Sequence, residues 1–180
     1  MHWWQKYEIN FPPVVFSEKK DIYLGRIKVF YYMAEELTYR HVMPVQIRFS
    51  DVDQYGHMNN SSYFSIYDLA KTSYLQDVFG NKEWNHLGIV VANINADFLA
   101  PVFFSDELYI ETTVIHLGHK SFTLLQRAVN KGSGVLKCQC RTVMVGYDVA
   151  TKEPVELPLD FKNTICEYEG KTLEELSKSL

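Results

Sequence analysis

The sequence predicts an α+β domain in which one long helix lies against one strongly curved antiparallel sheet. Three observations carry this. Residues 62–79 show helical apolar spacing, four runs after Gly88 alternate with period two, and the later runs are joined by short, turn-rich segments. Short connections make antiparallel neighbours, because parallel strands need a crossover of a dozen or more residues. A helix set to one side of such a sheet is the α+β solution.

The first strand is expected at 44–49, where Val45, Ile47 and Phe49 alternate with Gln46 and Arg48. Residues 50–62 are rich in Asp, Asn, Gly and Ser and read as a loop. In the helix, Tyr63, Ile66, Tyr67, Ala70, Tyr74, Leu75 and Val78 recur every three or four residues. Phe64, Leu69 and Phe79 widen that stripe, which predicts burial on most of the circumference. Asn59, Asn60, Ser61 and Ser62 are the N-cap candidates, and Gly80 is a C-terminal stop.

Along 89–99, Val90, Ala92, Ile94, Ala96 and Phe98 share one predicted face and Asn93, Asn95 and Asp97 the other. Strands follow at 107–116, 121–130 and 135–147, with hairpin connections at 117–120 and 131–134. Residues 157–180 are helical in part, with Glu174 and Lys178 four apart, and read as a peripheral C-terminal tail.

The central domain is therefore placed at 33–156. Residues 1–32 form an aromatic-rich extension with Trp3, Trp4, Tyr7, Phe11 and Phe16, broken by Pro12-Pro13 and without a steady period. From Met33 the string Met33-Ala34-Glu35-Glu36-Leu37 resembles the start of a cytoplasmic protein. The extension is either docked through its aromatics or no part of the native product. A chain beginning at Met33 is expected to fold, assemble and act.

Bulk properties narrow the function. The 180 residues are 47% apolar and 22% charged, as in ordinary globular proteins. The net charge of −4 supplies no global field for nucleic acid or anionic lipid. Cys138, Cys140 and Cys166 show no metal-ligand spacing to histidines, so no metal is expected. No run is long and apolar enough to span a bilayer, and 1–10 develop no signal core. The expected location is cytoplasmic.

The chemistry-bearing stretch is Asp51-Val52-Asp53-Gln54-Tyr55-Gly56-His57-Met58-Asn59-Asn60-Ser61-Ser62-Tyr63. It is a carboxylate-bearing loop that delivers the chain into the head of a helix. Unpaired N–H groups and the helix dipole there favour developing negative charge. A thioester carbonyl at that point is polarised as its oxygen becomes an oxyanion. A nearby carboxylate activates water or attacks the carbonyl itself. Gly56 permits a tight turn. Spacing alone does not identify the substrate.

The pattern Asp-x-Asp-x-x-Gly-His-x-Asn-Asn, from Asp51 to Asn60, resembles the 4-hydroxybenzoyl-CoA thioesterase family of hotdog proteins. The likeness continues through Tyr63, Asn93, Asn95, Phe98, Pro101, Asp106, Leu108, Lys120, Ser121 and Phe122, over most of 43–148. It implies a hotdog fold, a curved antiparallel sheet wrapped around one central helix. It also implies hydrolysis of an acyl-CoA or acyl-carrier-protein thioester, with CoA as part of the substrate and no separate cofactor.

Catalysis would fall to Asp53, as nucleophile or general base, with Gly56, His57 and Asn60 around it. An oxyanion-binding N–H would lie between Asn59 and Ser62. Asn59, Tyr63, Lys120 and Ser121 would meet substrate or CoA, and a second subunit would complete the site in a homodimer or homotetramer. One departure stands out. Relatives place Glu on the helix with Arg three positions later, where this chain has Asp68 and Lys71. Asp68 is the reserve catalytic carboxylate.

Each of these residues also has a structural reading. Asp51 is a turn former or a partner for Arg48, His57 a loop histidine that holds a turn, and Asn59 and Asn60 cap residues. Lys120 is a solvated turn residue, and Asp106 caps a turn after Pro101. Two other functions stay open: hydration or dehydration of a CoA-linked enoyl chain, and acyl-CoA binding without catalysis.

Overall fold

The computed structural model describes residues 22–24, 27–29, 37–84 and 86–177. The chain divides into two compact units, 1–37 and 38–180. In the first, β1 (Ile22–Leu24) and β2 (Ile27–Val29) pair antiparallel, a hairpin that the sequence pattern did not predict. The runs are only three residues each, too short for period two to register. The expectations for Trp3, Trp4, Phe11, Pro12-Pro13 and Met33 lie outside the described residues.

The second unit contains β3 (His41–Val45), α1 (Asn60–Phe79), β4 (Leu87–Phe98), β5 (Leu108–Leu117), β6 (Ser121–Asn130) and β7 (Leu136–Asp148). It ends in α2 (Leu159–Glu169) and α3 (Leu173–Ser177). Five strands form one antiparallel sheet in the order β3-β5-β6-β7-β4, as expected from the short connections. β3 ends four residues before the predicted limit because Phe49–Asp51 folds as a single 3-10 turn. Pro44 lacks an N–H and is tolerated in β3 because this strand is a sheet edge.

α1 lies on the sheet through Tyr63, Tyr67, Ala70, Tyr74 and Val78, all buried. Its first half packs with Met58, Val102, Leu108, Ile110, Ala128, Cys138 and Cys140. Its second half packs with Val114, Leu117, Phe122, Leu124 and Met144. Phe64 and Leu69 are exposed, which corrects the expectation of burial on most of the circumference. The sheet of one copy covers a single helical face.

Two further corrections concern the edges. A bulge at Ala92 changes which residues of β4 share a face. Val91 pairs with buried Met144 and joins Ile94, Ala96 and Phe98, whereas Val90 shares a face with Asn93. The C-terminal helices are not peripheral. Phe161, Ile165 and Leu176 are at most 2% exposed and belong to the main core. They close the part of β5 beyond Thr112, where β3 no longer pairs. There Glu169 accepts the Val114 N–H at 2.9 Å and Ser177 Oγ donates to the Leu117 carbonyl at 3.2 Å. Lys178 lies outside the described residues.

Candidate active site

Residues 52–58 form a small hairpin between the 3-10 turn and α1, closed by a bridge between Val52 and Met58. Asp53 N–H donates to the His57 carbonyl at 2.8 Å, and Gly56 N–H to the Asp53 carbonyl at 3.0 Å. This is a three-residue hairpin loop ending in a glycine bulge, which needs a left-handed residue at its last position. Gly56 supplies it at φ +78°. The Asp53 carboxylate completes the turn: Oδ1 accepts the N–H groups of Tyr55 at 2.8 Å and His57 at 3.3 Å. Oδ2 has no hydrogen bond among the described residues. One oxygen is thus held in place while the other stays available to a water or a carbonyl carbon.

α1 begins at Asn60, two residues after the hairpin closes at Met58. Asn59 is its N-cap, and its Oδ1 accepts from the Ser61 N–H at 2.9 Å and Ser61 Oγ at 2.8 Å. The Ser62 N–H goes to the Asn59 carbonyl at 2.9 Å. Asn59 N–H donates to the Asp51 carbonyl at 2.8 Å, which ties the helix head to the chain entering the hairpin. The Asn60 N–H meets no acceptor among the described residues. Of the span 59–62, it is the donor left for an oxyanion.

The remaining expected residues fall into three places. Asp51 accepts the Arg48 N–H at 2.7 Å, the turn-forming role. His57 is half-buried, with its ring edge-on to Phe103 at 5.2 Å. Tyr63 is buried beneath the helix head against Phe98 at 5.2 Å, and burial raises its phenol well above the ordinary range. Asp68 is paired with Lys71, yet it is exposed along α1 rather than buried.

Lys120 and Ser121 sit elsewhere. Lys120 Nζ donates to the Pro154 carbonyl at 3.1 Å, and Ser121 opens β6 opposite Val145. The hairpin touches Val102 and Phe103, beyond the other end of the sheet. Ten residues of β6 span about 30 Å, so within one copy these residues and Asp53 do not line a single pocket.

A cysteine nucleophile is disfavoured. Burial pushes the Cys138 thiol up to about 12 and also raises Cys140, so neither is a ready thiolate. Among the described residues no group of three or more His, Cys, Asp or Glu side chains stands close enough to hold a metal ion. No helix there is long and apolar enough to cross a membrane.

The sequence reading missed Phe103, which bridges His57, and Lys137, whose Nζ pairs with Asp106 in the same loop. The available signal was a lysine inside the apolar run of β7.

A curved antiparallel sheet around one long helix, with a carboxylate hairpin at the helix head, defines the hotdog class of thioesterase folds. Residues 47–165 match the thioesterase-like superfamily, and the chain belongs to that family. It is 25% identical over 128 residues to the acyl-CoA thioester hydrolase YbgC of Escherichia coli O6:H1, covering 69% of this chain and 92% of that one. It is 27% identical over 115 residues to the long-chain acyl-CoA thioesterase FadM of Escherichia coli K12, covering 63% and 87%. Among solved structures it resembles a thioesterase of Thermus thermophilus complexed with coenzyme A and Zn. There the TM-score is 0.66 and the identity 27%, over 75% of this chain and 98% of that one.

Proposed function

We propose that this protein hydrolyses acyl-CoA thioesters to a carboxylic acid and free CoA, with Asp53 as the working carboxylate. The observation that carries this is Asp53 held by its own turn beside a helix head whose Asn60 N–H lacks an acceptor among the described residues. The activities named for YbgC and FadM support the same reaction.

The thioester carbonyl oxygen is set at the Asn60 N–H. Acting as base, Asp53 takes a proton from water as the hydroxide adds to the carbonyl carbon, and the helix head holds the oxyanion. Collapse breaks the C–S bond, and the CoA sulfur leaves as thiolate and takes up a proton. A thiol pKa of about 8.5 makes that departure easy without a dedicated acid. Acting instead as nucleophile, Asp53 adds to the carbonyl, the C–S bond breaks to release CoA thiolate, and water cleaves the resulting mixed anhydride to free acid and Asp53.

The full site takes two copies. β4 pairs only with β7 among the described residues, and Val90, Val91, Ile94 and Phe98 along it are about 40% exposed. Such a long apolar edge is a template for another strand. Antiparallel pairing of two β4 strands about a two-fold axis brings the Leu87 end of one beside the Phe98 end of the other. Lys120 of the second copy then comes toward Asp53 of the first, where it meets a CoA phosphate and Ser121 lines the approach. The free cysteines Cys138, Cys140 and Cys166 fit a reducing, cytoplasmic compartment.

The test is CoA thiol release across acyl-CoA and acyl-carrier-protein esters. Hydration of an enoyl chain and simple binding both leave the thioester intact and release no thiol. Asp53→Asn is expected to lower turnover about a hundredfold or more while leaving folding and CoA binding in place. Near-normal turnover in that variant, with Asp68→Asn inactive, moves the chemistry onto α1.

A further inference from the structure

We infer that Lys137 and Asp106 form a strut that holds the Asp53 hairpin in its working position, which makes both positioning residues for the reaction proposed above. The inference rests on that reading of Asp53.

The hairpin is exposed at Gln54, Tyr55 and Gly56, and outside its own turn and helix it leans on the loop between β4 and β5. Met58 N–H donates to the Val102 carbonyl at 2.8 Å, and His57 and Phe103 form an antiparallel bridge with their rings 5.2 Å apart. Any displacement of 102–103 therefore reaches His57, whose N–H is one of two that hold Asp53 Oδ1.

That loop has little regular structure of its own, and an ion pair helps to order it. Lys137, near the start of β7, has a side chain only 11% exposed, and that of Asp106 is 16% exposed. Lys137 Nζ stands 3.1 Å from Asp106 Oδ2, donates to the Pro101 carbonyl at 2.8 Å, and lies 5.9 Å from the centre of the Phe103 ring. The same Asp106 oxygen accepts the Phe103 N–H at 3.0 Å, and Asp106 N–H returns to the Phe103 carbonyl at 3.0 Å.

All these Lys137 contacts are thus made to residues 101–106, at the base of the element carrying Phe103. A buried ion pair is a costly way to gain stability, because apolar side chains of similar volume do as well or better. What the charges add is a single arrangement of the backbone groups they bond. Here those groups belong to the segment that carries the hairpin.

The experiment combines turnover with amide hydrogen exchange read by NMR on the full chain. In Lys137→Met, kcat is expected to fall about tenfold or more, as for a displaced catalytic group, with KM for the CoA ester within about twofold. Exchange at Met58 and His57 should quicken at least about tenfold while Leu124 and Gln126 in β6 keep their rates. Lys137→Arg should recover part of kcat. Lys131→Met, which removes the exposed pair Lys131–Glu107 nearby, should change neither readout.

Unchanged hairpin exchange in a folded Lys137→Met protein overturns the strut. So does uniform acceleration across β6, which is what general destabilisation gives. If Lys137→Met fails to fold, Phe103→Leu decides, since its ring is 42% exposed and its loss spares the core. It should reproduce the local exchange and the kcat loss, and silence in both overturns the inference. Turnover that survives Asp53→Asn removes the reading of Asp53 and leaves the exchange result standing. Silent exchange beside an inactive Asp53→Asn removes the strut alone.

Discussion

Asp53 is held by one carboxylate oxygen: Oδ1 accepts the Tyr55 and His57 N–H groups, and Oδ2 has no hydrogen bond among the described residues. Asp51, two residues earlier, gives its Oδ2 to the Arg48 N–H, so equal residue types two positions apart have different work. Elsewhere, His41 is 4% exposed, its Nε2 lies 3.1 Å from Ser73 Oγ, and its Nδ1 has no partner among the described residues. Burial lowers its pKa, outweighing the opposing pull of Asp77 and Glu169. The unfolded chain then binds the proton more readily than the fold. Stability is full above the ordinary histidine value near 6.5 and is lost as pH falls from there toward the lower folded value. His41→Asn should therefore show a smaller drop in melting temperature between pH 7.5 and 5.5 than the natural protein.

At the scale of elements, α2 shows how a misplaced charge becomes a fastener. Glu169 sits at the C-terminal end of its helix, where the dipole disfavours an anion. It is buried there because three donors meet it: Tyr74 Oη at 2.5 Å, Thr113 Oγ1 at 2.7 Å and Val114 N–H at 2.9 Å. Gly170 ends the helix at φ +66°, and a Cβ there would collide with the Arg40 guanidinium. Glu169→Leu strands all three donors and should cost about 3 kcal/mol or more in urea unfolding, with Glu169→Gln costing less. The sequence had read 157–180 as helical in part. It did not show docking, because only the fold reveals that β5 outruns β3 and needs closing. The bulge at Ala92 was hidden for a related reason, since one extra residue is visible only against the partner strand.

For the whole molecule, the exposed face of α1 and the open edge of β4 belong to one question. Phe64 and Leu69 on the helix and Val91, Ile94 and Phe98 on the strand are each at least 40% exposed. Ile94→Arg sets a charge on that edge and should give a monomer by size-exclusion chromatography with turnover largely lost. An active monomer would show that one copy suffices. Lys120→Ala tests the cross-copy contact. It should raise KM for full-length CoA esters with kcat nearly unchanged, since a phosphate contact is equal in ground and transition states. The effect should shrink with added salt and vanish for a truncated pantetheine thioester.

Local rules had already settled much of this protein. Period-two runs and glycine-bearing turns define an antiparallel sheet, and the 62–79 stripe defines its helix. Asp53, Gly56 and Asn59 are legible because a turn and a cap are built from neighbours in the chain, and the same string carries the family likeness. The tertiary structure alone decided which neighbours from afar would meet. Lys137 and Asp106 are 31 positions apart in the sequence, Tyr74 and Glu169 95 apart, and no periodicity relates either pair. It also put Lys120 about a strand's length from Asp53, a distance that register sets. Side chains of distant residues find each other only after the sheet has chosen its strand order.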